Sequence, residues 1–285
     1  MFDLFGGLVT STLARSDGTS LALLTSEAES PRGHVLAVHG FTGGKEDFVF
    51  LLPELATRGW TASAVDLRGV NQSTSQGPYD LETLAMDLVA VARHLGRPVH
   101  LVGHSFGGLT AQRAVVAGPD AFASLTLVGS GPAGFMASAA LVPVTIERLT
   151  MFQGALVGHT LAEAWDAKTE YENVEMHPAM ASFLRERFVA GSHEAAVRNV
   201  EDLLDAPDVV GALAATGVPC AVVYGERDGT WNQSTQDEMA VRLGTTPVPI
   251  PDSTHVPMLE NVDATALALD AFFTAAARAV PGDVA

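Results

Sequence analysis

Gly103-His104-Ser105-Phe106-Gly107-Gly108 is the stretch that decides how the rest of the chain is interpreted. It follows an apolar run at 98–102 that is typical of a buried strand, and it precedes a helix-like segment at 109–117. Where a strand turns sharply into a helix the two backbones approach closely, and glycines at 103 and 107 leave room for this. The pattern predicts that the Ser105 hydroxyl is exposed at a helix N-terminus, where a developing negative charge is favoured.

The composition indicates one sizeable domain, or a domain with an insertion, that carries an excess of acidic residues. The 285 residues are 47% hydrophobic and 17% charged, and the net charge is −17. Because such a surface repels nucleic acid and anionic membranes, we expect no nucleic-acid or membrane partner and a small-molecule substrate. An uncharged stretch at 121–146 is long enough to span a bilayer, but glycines and prolines interrupt it.

The single cysteine and the N-terminal residues bear on the cellular compartment. Cys220 lies in an apolar run, so no intramolecular disulfide is possible and we expect a buried, unreactive thiol. The first residues lack a basic region followed by an apolar core, so no signal peptide is predicted. A cytoplasmic protein, either a monomer or a homodimer, is the default expectation.

Apolar strands alternate with amphipathic helices along most of the chain, which predicts the α/β class: a mostly parallel, doubly wound sheet with helices on both faces. Strands are predicted at 8–15, 19–24, 33–38, 61–67, 98–102, 125–128, 218–225 and 246–250, and helices at 45–58, 79–95, 109–117, 230–243 and 264–279. From 131 to 205 only helical stretches are predicted. This interval is interpreted as a helical cap, 131–205, inserted into a core made of residues 1–130 and 206–285.

Several sequence landmarks occur in an order that resembles the α/β-hydrolase fold family, in particular its capped serine esterases and lipase-like hydrolases. They are His39-Gly40-Phe41, Asp66-Leu67-Arg68-Gly69, the stretch around Ser105, and Asp228 before His255. The resemblance covers nearly the whole chain, with the cap as its least determined part. One departure is Asn71, where the family's turn usually has glycine, but asparagine tolerates a left-handed backbone. The resemblance implies a serine hydrolase of carboxylic esters without a cofactor or a metal.

A serine hydroxyl becomes a good nucleophile only when a base removes its proton, so Ser105 implies a histidine. The family's order is serine, acid, then histidine, and His255, the last of nine histidines, has that position. Asp228 follows the strand after the insertion, where most of the family has its acid. Some relatives have the acid after the preceding strand, but Gly129-Ser130-Gly131 offers no carboxylate there. Glu226 and Asp252 are weaker candidates for the acid.

An oxyanion that forms during acyl transfer needs two backbone N–H donors. The residue after the nucleophile, Phe106, would supply one, and the resemblance implies that Phe41 supplies the other. Both phenyl rings are then expected to line the pocket as well. His104 is expected to point away into the fold, and both it and His39 are interpreted as structural rather than catalytic.

The pocket and the substrate are the least determined part of the interpretation. Phe135, Trp231 and Val256 are candidates to line the pocket, although core packing is an equal alternative for Trp231. Arg68 and Arg227 are the only basic residues expected near the catalytic loops, so an anionic group of a substrate has no evident clamp. The preferred substrate is therefore a neutral, fairly apolar ester, lactone or thioester.

Other functions stay open because the same residues support them. An acyltransferase, a carbon–carbon bond hydrolase and a cofactor-free perhydrolase share the triad with an esterase. A non-catalytic ligand receptor on this fold is a different class, and it is disfavoured because Ser105, Asp228 and His255 are all present. The sequence does not decide between water, an alcohol and peroxide as the acyl acceptor.

Overall fold

Residues 7–96, 98–137, 142–173 and 175–279 are described by the computed structural model. Within them, eight strands form one sheet: β1 (Leu8–Ala14), β2 (Ser20–Ser26), β3 (Gly33–Val38), β4 (Trp60–Val65), β5 (Val99–His104), β6 (Phe122–Val128), β7 (Cys220–Gly225) and β8 (Val248–Ile250). The order across the sheet is β1-β2-β4-β3-β5-β6-β7-β8. The pairs β1–β2 and β2–β4 are antiparallel, and the remaining pairs are parallel.

Helices cover both faces of the sheet, which explains why strands such as β4 and β5 are buried along their whole length. The helices are α1 (Leu51–Thr57), α2 (Leu81–His94), α3 (Phe106–Ala117), α4 (Pro143–Leu156), α5 (Leu161–Glu172), α6 (Pro178–Val189), α7 (His193–Asp205), α8 (Val210–Ala215), α9 (Gln233–Arg242), α10 (Pro257–Glu260) and α11 (Val262–Ala279). One buried cluster joins α1 and α11 to the sheet, and another joins α2, α3 and α9. The predicted doubly wound α/β class is confirmed.

The helices α4–α7 follow β6 and lie inside the interval 131–205 that the sequence predicts to be a cap; they are called the cap helices, or the cap, below, and the sheet with its other helices is called the core. Phe152 of α4 and Leu203 of α7 belong to the same buried cluster as α2 and α3, so the apolar core continues into this helical layer. The next helix along the chain, α8, packs on α3 of the core. Among the described helices, none combines the length and the apolar character that crossing a bilayer requires.

One helix of the structure differs from the prediction, and the difference has a physical cause. Instead of a single helix at 45–58, the chain forms a short 3-10 turn, Lys45–Phe48, and then begins α1 at Leu51. The new start leaves Pro53 in the first turn of α1, where a backbone N–H would have no helical acceptor. The loop after β3, residues 39–44, leads from that strand into the 3-10 turn.

Candidate active site

Ser105 lies at the junction of β5 and α3 in a strained backbone conformation. Its φ of 51° and ψ of −118° fall outside the regions that residues other than glycine normally occupy, a strain on the order of 1–3 kcal/mol. Two contacts hold the turn: the Ser105 N–H donates to the Val128 carbonyl at 3.0 Å, and the Ser130 hydroxyl donates to the Ser105 carbonyl at 2.8 Å. The neighbouring strand β6 therefore maintains the turn that presents the serine.

Glycines around Ser105 are required by close contacts between backbones. A Cβ on Gly103 would lie 2.6 Å from the carbonyl oxygen of Gly107. A Cβ on Gly107 would lie 2.5 Å from the carbonyl oxygens of both Val38 and His39, at the end of β3. The predicted sharp turn from strand to helix is present, and the helix packs against the loop that follows β3.

His255 and Asp228 come from different loops and meet beside Ser105. The His255 Nδ1 lies 3.2 Å and 3.3 Å from the two carboxylate oxygens of Asp228. Asp228 is buried, and its Oδ1 also accepts the Thr230 N–H at 2.9 Å. Because a carboxylate accepts from Nδ1–H, the other nitrogen, Nε2, is left as the basic one.

The residue after β6, where some relatives have the acid, explains part of this geometry. Gly129 follows β6 with a φ of 52°, and a Cβ there would lie 3.2 Å from Asp228 and 3.3 Å from the His255 ring. Glycine at this place leaves space for the pair. The weaker acid candidates lie elsewhere: Glu226 is exposed, and Asp252 is exposed near Arg227.

Ser105 and His255 line the same cavities, but no hydrogen bond joins their described side chains. In structures without substrate such bonds are often long, and they tighten when the complex forms. The arrangement of serine, histidine and acid can support nucleophilic attack once the Ser105 hydroxyl and the His255 ring come within hydrogen-bonding distance.

His104 and His39 are both buried and hydrogen-bonded to backbone. His104 donates from Nε2 to the His255 carbonyl at 2.9 Å; burial, and secondarily the nearby His255, lower the His104 pKa to about 4, so it is neutral at pH 7. It is only 5% exposed and also borders the larger cavity. His39 accepts the Leu67 N–H at 3.1 Å and contacts the Gly40 carbonyl. His104 therefore ties the serine turn to the loop of His255, and His39 ties the loop after β3 to the segment after β4.

The N–H groups of Phe41 and Phe106 are free to act as oxyanion donors. Within the described residues neither donates to a backbone or side-chain acceptor, and Phe106 is the first residue of α3, where the helix offers its N–H no partner. The Phe41 ring packs edge-to-face on Phe152 with centroids 5.6 Å apart and lines both cavities. The Phe106 ring is fully buried in the core, so the expectation that it lines the pocket is wrong.

A smaller cavity of about 210 Å³ and a larger one of about 890 Å³ meet at Ser105 and His255. Apolar side chains line much of the smaller cavity: Phe41, Phe135, Leu149, Phe152 and Leu203. Of the predicted pocket residues, Phe135 therefore lines the smaller cavity, and Val256 lines the larger. Trp231 lines neither; it is buried and stacks on Phe135 with ring centroids 3.8 Å apart, which sets the position of that ring.

The expectation that Arg68 and Arg227 are the only basic residues near the catalytic loops is wrong. Arg68 is buried against Asp87 at 2.7 Å, and Arg227 is exposed near Asp252. Basic residues of the cap helices line the larger cavity instead: Arg148, Lys168, Arg185 and Arg187. They are remote from the catalytic motifs in sequence, and only the folding of the cap over the core brings them there.

Most of these cationic groups are neutralised by a carboxylate. Arg185 contacts Asp166 at 2.7 Å and Lys168 contacts Glu172 at 2.6 Å. Arg187 contacts Asp47 at 2.7 Å. Within the described residues Arg148, which lines both cavities, has no ion pair. Among the same residues, no group of three or more histidine, cysteine, aspartate or glutamate side chains is arranged to hold a metal ion.

Comparison with known proteins relates this site to a family. A model of the alpha/beta hydrolase family matches residues 35–269. A pimeloyl-[acyl-carrier protein] methyl ester esterase of Methylococcus capsulatus is 29% identical over 253 residues, which cover 85% of this chain and 96% of the relative. A protein of the same name from Neisseria meningitidis is 35% identical over 96 residues, and in that alignment the chain spans only 36% of the relative's length.

Among solved structures, carboxylesterase of Nitrososphaera gargenis superposes with a TM-score of 0.75 over 95% of this chain and 100% of the other. At 19% identity this likeness shows the fold alone. The match to the family model covers most of β3, the strands β4 to β8, the serine turn and the loops of Asp228 and His255. The chain belongs to the alpha/beta hydrolase family.

Proposed function

We propose that the protein is a serine hydrolase that cleaves carboxylic esters through an acyl-enzyme. The observation that carries this proposal is the contact of His255 Nδ1 with Asp228 at 3.2 Å beside a strained Ser105, at the place where the smaller and the larger cavity meet. The names of the Methylococcus and Neisseria relatives, which are methyl ester esterases, support the same reaction type. A small-molecule substrate and a cytoplasmic location are part of the proposal.

Acylation begins when His255 Nε2 takes the proton of the Ser105 hydroxyl and the oxygen attacks the ester carbonyl carbon. The carbonyl oxygen becomes an oxyanion, which accepts hydrogen bonds from the N–H groups of Phe41 and Phe106. Asp228 stabilises the imidazolium without itself taking the proton. The carbon–oxygen bond to the alcohol then breaks, and His255 gives its proton to the departing alkoxide.

Deacylation repeats these steps with water as the nucleophile. His255 Nε2 takes a proton from water, the hydroxide attacks the acyl carbon, and the same N–H groups bind the second oxyanion. The bond to the Ser105 oxygen breaks, and that oxygen recovers a proton from His255. The products are the free acid and an enzyme restored to its starting state.

The shape of the cavities supports a substrate with one apolar part of limited size. The smaller cavity has a volume of about 210 Å³ and is walled by Phe135, Leu149 and Phe152. The larger cavity, about 890 Å³, is wide enough for a bulkier group. A fairly apolar ester of short or medium acyl chain satisfies both, and a lactone or thioester presents the same carbonyl chemistry. The preference for a neutral substrate loses its basis, because Arg148 lines both cavities without an ion pair among the described residues.

The experiment is a kinetic comparison on p-nitrophenyl esters of increasing acyl length, with and without added alcohol as an acceptor. Ser105→Ala is expected to lower kcat by about 10⁴-fold or more, because the remaining groups cannot replace the nucleophile. Ser234→Ala, at the start of α9 and outside both cavities, is the matched control and is expected to keep parental turnover. Turnover by Ser105→Ala at the parental rate would overturn the proposal, and a product ester formed in preference to the acid would reassign the enzyme as an acyltransferase.

A further inference from the structure

A buried arginine of the cap, Arg187 on α6, reaches the loop that follows β3 and carries Phe41. The residue is only 6% exposed. Its Nη1 donates to Asp47 Oδ1 at 2.7 Å, and its Nη2 donates to the Thr42 carbonyl at 3.3 Å. Asp47 and Arg187 are 140 residues apart in sequence, so this contact joins the cap to the core at the wall of the larger cavity.

The loop contacted by Arg187 has an unusual conformation. Thr42 has a φ of 59°, in the left-handed region that a threonine rarely occupies. The Gly44 N–H donates to Asp47 Oδ2 at 3.3 Å, and a Cβ on Gly43 would lie 2.3 Å from that oxygen. Asp47 thus contacts the loop backbone with one carboxylate oxygen and Arg187 with the other.

The loop also carries the N–H that the proposed mechanism needs. Only the dihedral angles of Phe41 and Thr42 separate the Phe41 N–H from the Thr42 carbonyl, so holding the carbonyl restricts the direction of the N–H. We propose that Arg187 is a positioning residue for the oxyanion hole, through which the placement of the cap controls stabilisation of the tetrahedral intermediate. The inference rests on the proposed function, since it needs Phe41 as an oxyanion donor.

The charge of Arg187 matters as well as its hydrogen bonds. Asp47 is partly buried, and Glu46 lies 3.8 Å from the same guanidinium. Glu46 has a second cation in Lys45, which also contacts Asp66. Among the described residues no other cation contacts Asp47, so without Arg187 the negative charge of a carboxylate beside the loop is unpaired and opposes the developing oxyanion.

The test separates kcat from KM in Arg187→Met, which keeps the aliphatic stem and removes the charge and both donors. We expect kcat to fall by about 10- to 100-fold and KM to change by less than about threefold, because the oxyanion hole acts mainly in the transition state. Binding of a trifluoromethyl ketone, whose adduct with Ser105 carries an oxyanion, should weaken in parallel with kcat/KM. Arg187→Lys keeps a cation for Asp47 and should recover part of kcat.

The matched control is Arg113→Met, since Arg113 on α3 is equally buried at 6% exposure and donates to the Pro207 carbonyl at 2.9 Å, outside both cavities. This variant should lose stability but keep parental kcat per folded molecule. The inference is overturned if Arg187→Met keeps parental kcat per folded molecule, or if ketone affinity stays unchanged while kcat falls. Failure of the proposed function looks different, because Ser105→Ala would then remain active whatever Arg187→Met does.

Discussion

The core and the cap border the same cavities, but different physical effects place their residues there. On the core side, backbones lie so close together that the residue type is dictated. A Cβ on Gly107 would lie 2.5 Å from two carbonyl oxygens, and Gly129 leaves space for the contact of Asp228 with His255. On the cap side, side chains meet the cavity through ion pairs such as Arg185–Asp166 and Arg187–Asp47. Steric demands fix the first kind of position, and electrostatic pairing fixes the second.

The central strands of the core and the cap helices also differ in what they leave at the surface. Several large apolar side chains of the cap helices are exposed: Val144, Tyr171, Met180 and Phe183. In the core, strands such as β5 and β7 are buried along their whole length. We infer that the core tolerates little change without losing the reacting geometry, whereas the cap can vary its side chains and so adjust the substrate. Three predictions test that difference.

The largest expected effect comes from replacing an aspartate by asparagine once in the core and once in the cap. Asp228→Asn should lower kcat by about 10³- to 10⁴-fold, because an amide can hold His255 in the wrong tautomer and cannot stabilise the imidazolium. Asp166→Asn in the cap removes a largely exposed ion pair with Arg185 and should change kcat/KM by no more than about threefold. Steady-state kinetics on one ester measures both. Comparable losses in the two variants would end the distinction between core and cap.

The residues on the core side were open to prediction from sequence because their constraints are local. Gly103, Ser105 and Gly107 occur within a strand–turn–helix pattern that close backbone contact explains. Their order relative to Asp228 and His255 resembles the family's order, and this resemblance predicted the acid and the histidine. The catalytic roles of these residues stay predictions, but the structure brings the acid and the histidine together at 3.2 Å.

What sequence reasoning missed depends on contacts between distant segments. No spacing rule relates Arg187 to Asp47, since the pairing arises only when α6 lies over the loop after β3. For the same reason the basic lining of the larger cavity was not expected. The burial of the Phe106 ring had a signal that was overlooked: a residue whose backbone begins a helix against a sheet directs its side chain into the core.

A second comparison places a methyl group on a glycine in each region. Gly107→Ala should lower the free energy of unfolding by about 3 kcal/mol or more, because its Cβ would lie 2.5 Å from two backbone oxygens that cannot move independently. A Cβ on Gly154 in α4 would meet open space. Gly154→Ala should therefore raise the free energy of unfolding by about 0.5–1 kcal/mol, because alanine has the higher helix propensity. Urea denaturation gives both values. A destabilised Gly154→Ala variant would show that the cap is packed as tightly as the core.

The smallest expected effect concerns the junction between the cap and the core. There Asp202 of α7 faces Arg113 of α3 and Arg198 of the cap. Two further carboxylates, those of Glu82 and Asp80, are nearby. Burial raises the Asp202 pKa from 3.8 to about 6, so between these values the folded protein keeps a proton that the unfolded chain has released. Stability from this group therefore falls as pH rises through that window.

Asp202→Asn lacks this titration, so its free energy of unfolding relative to the parent should rise by about 2 kcal/mol from pH 4 to pH 7 and then level off. Asp166→Asn in the cap should show the opposite sign. The hydrogen bond from Arg185 lowers the Asp166 pKa, so that carboxylate contributes stability above its unfolded pKa and loses it as pH falls. Urea midpoints measured at each pH test both. If the difference in free energy of unfolding between Asp202→Asn and the parent does not change with pH, Asp202 is hydrated in the folded protein, as the cap surface is. The boundary between the tightly packed and the adjustable region then lies within α7.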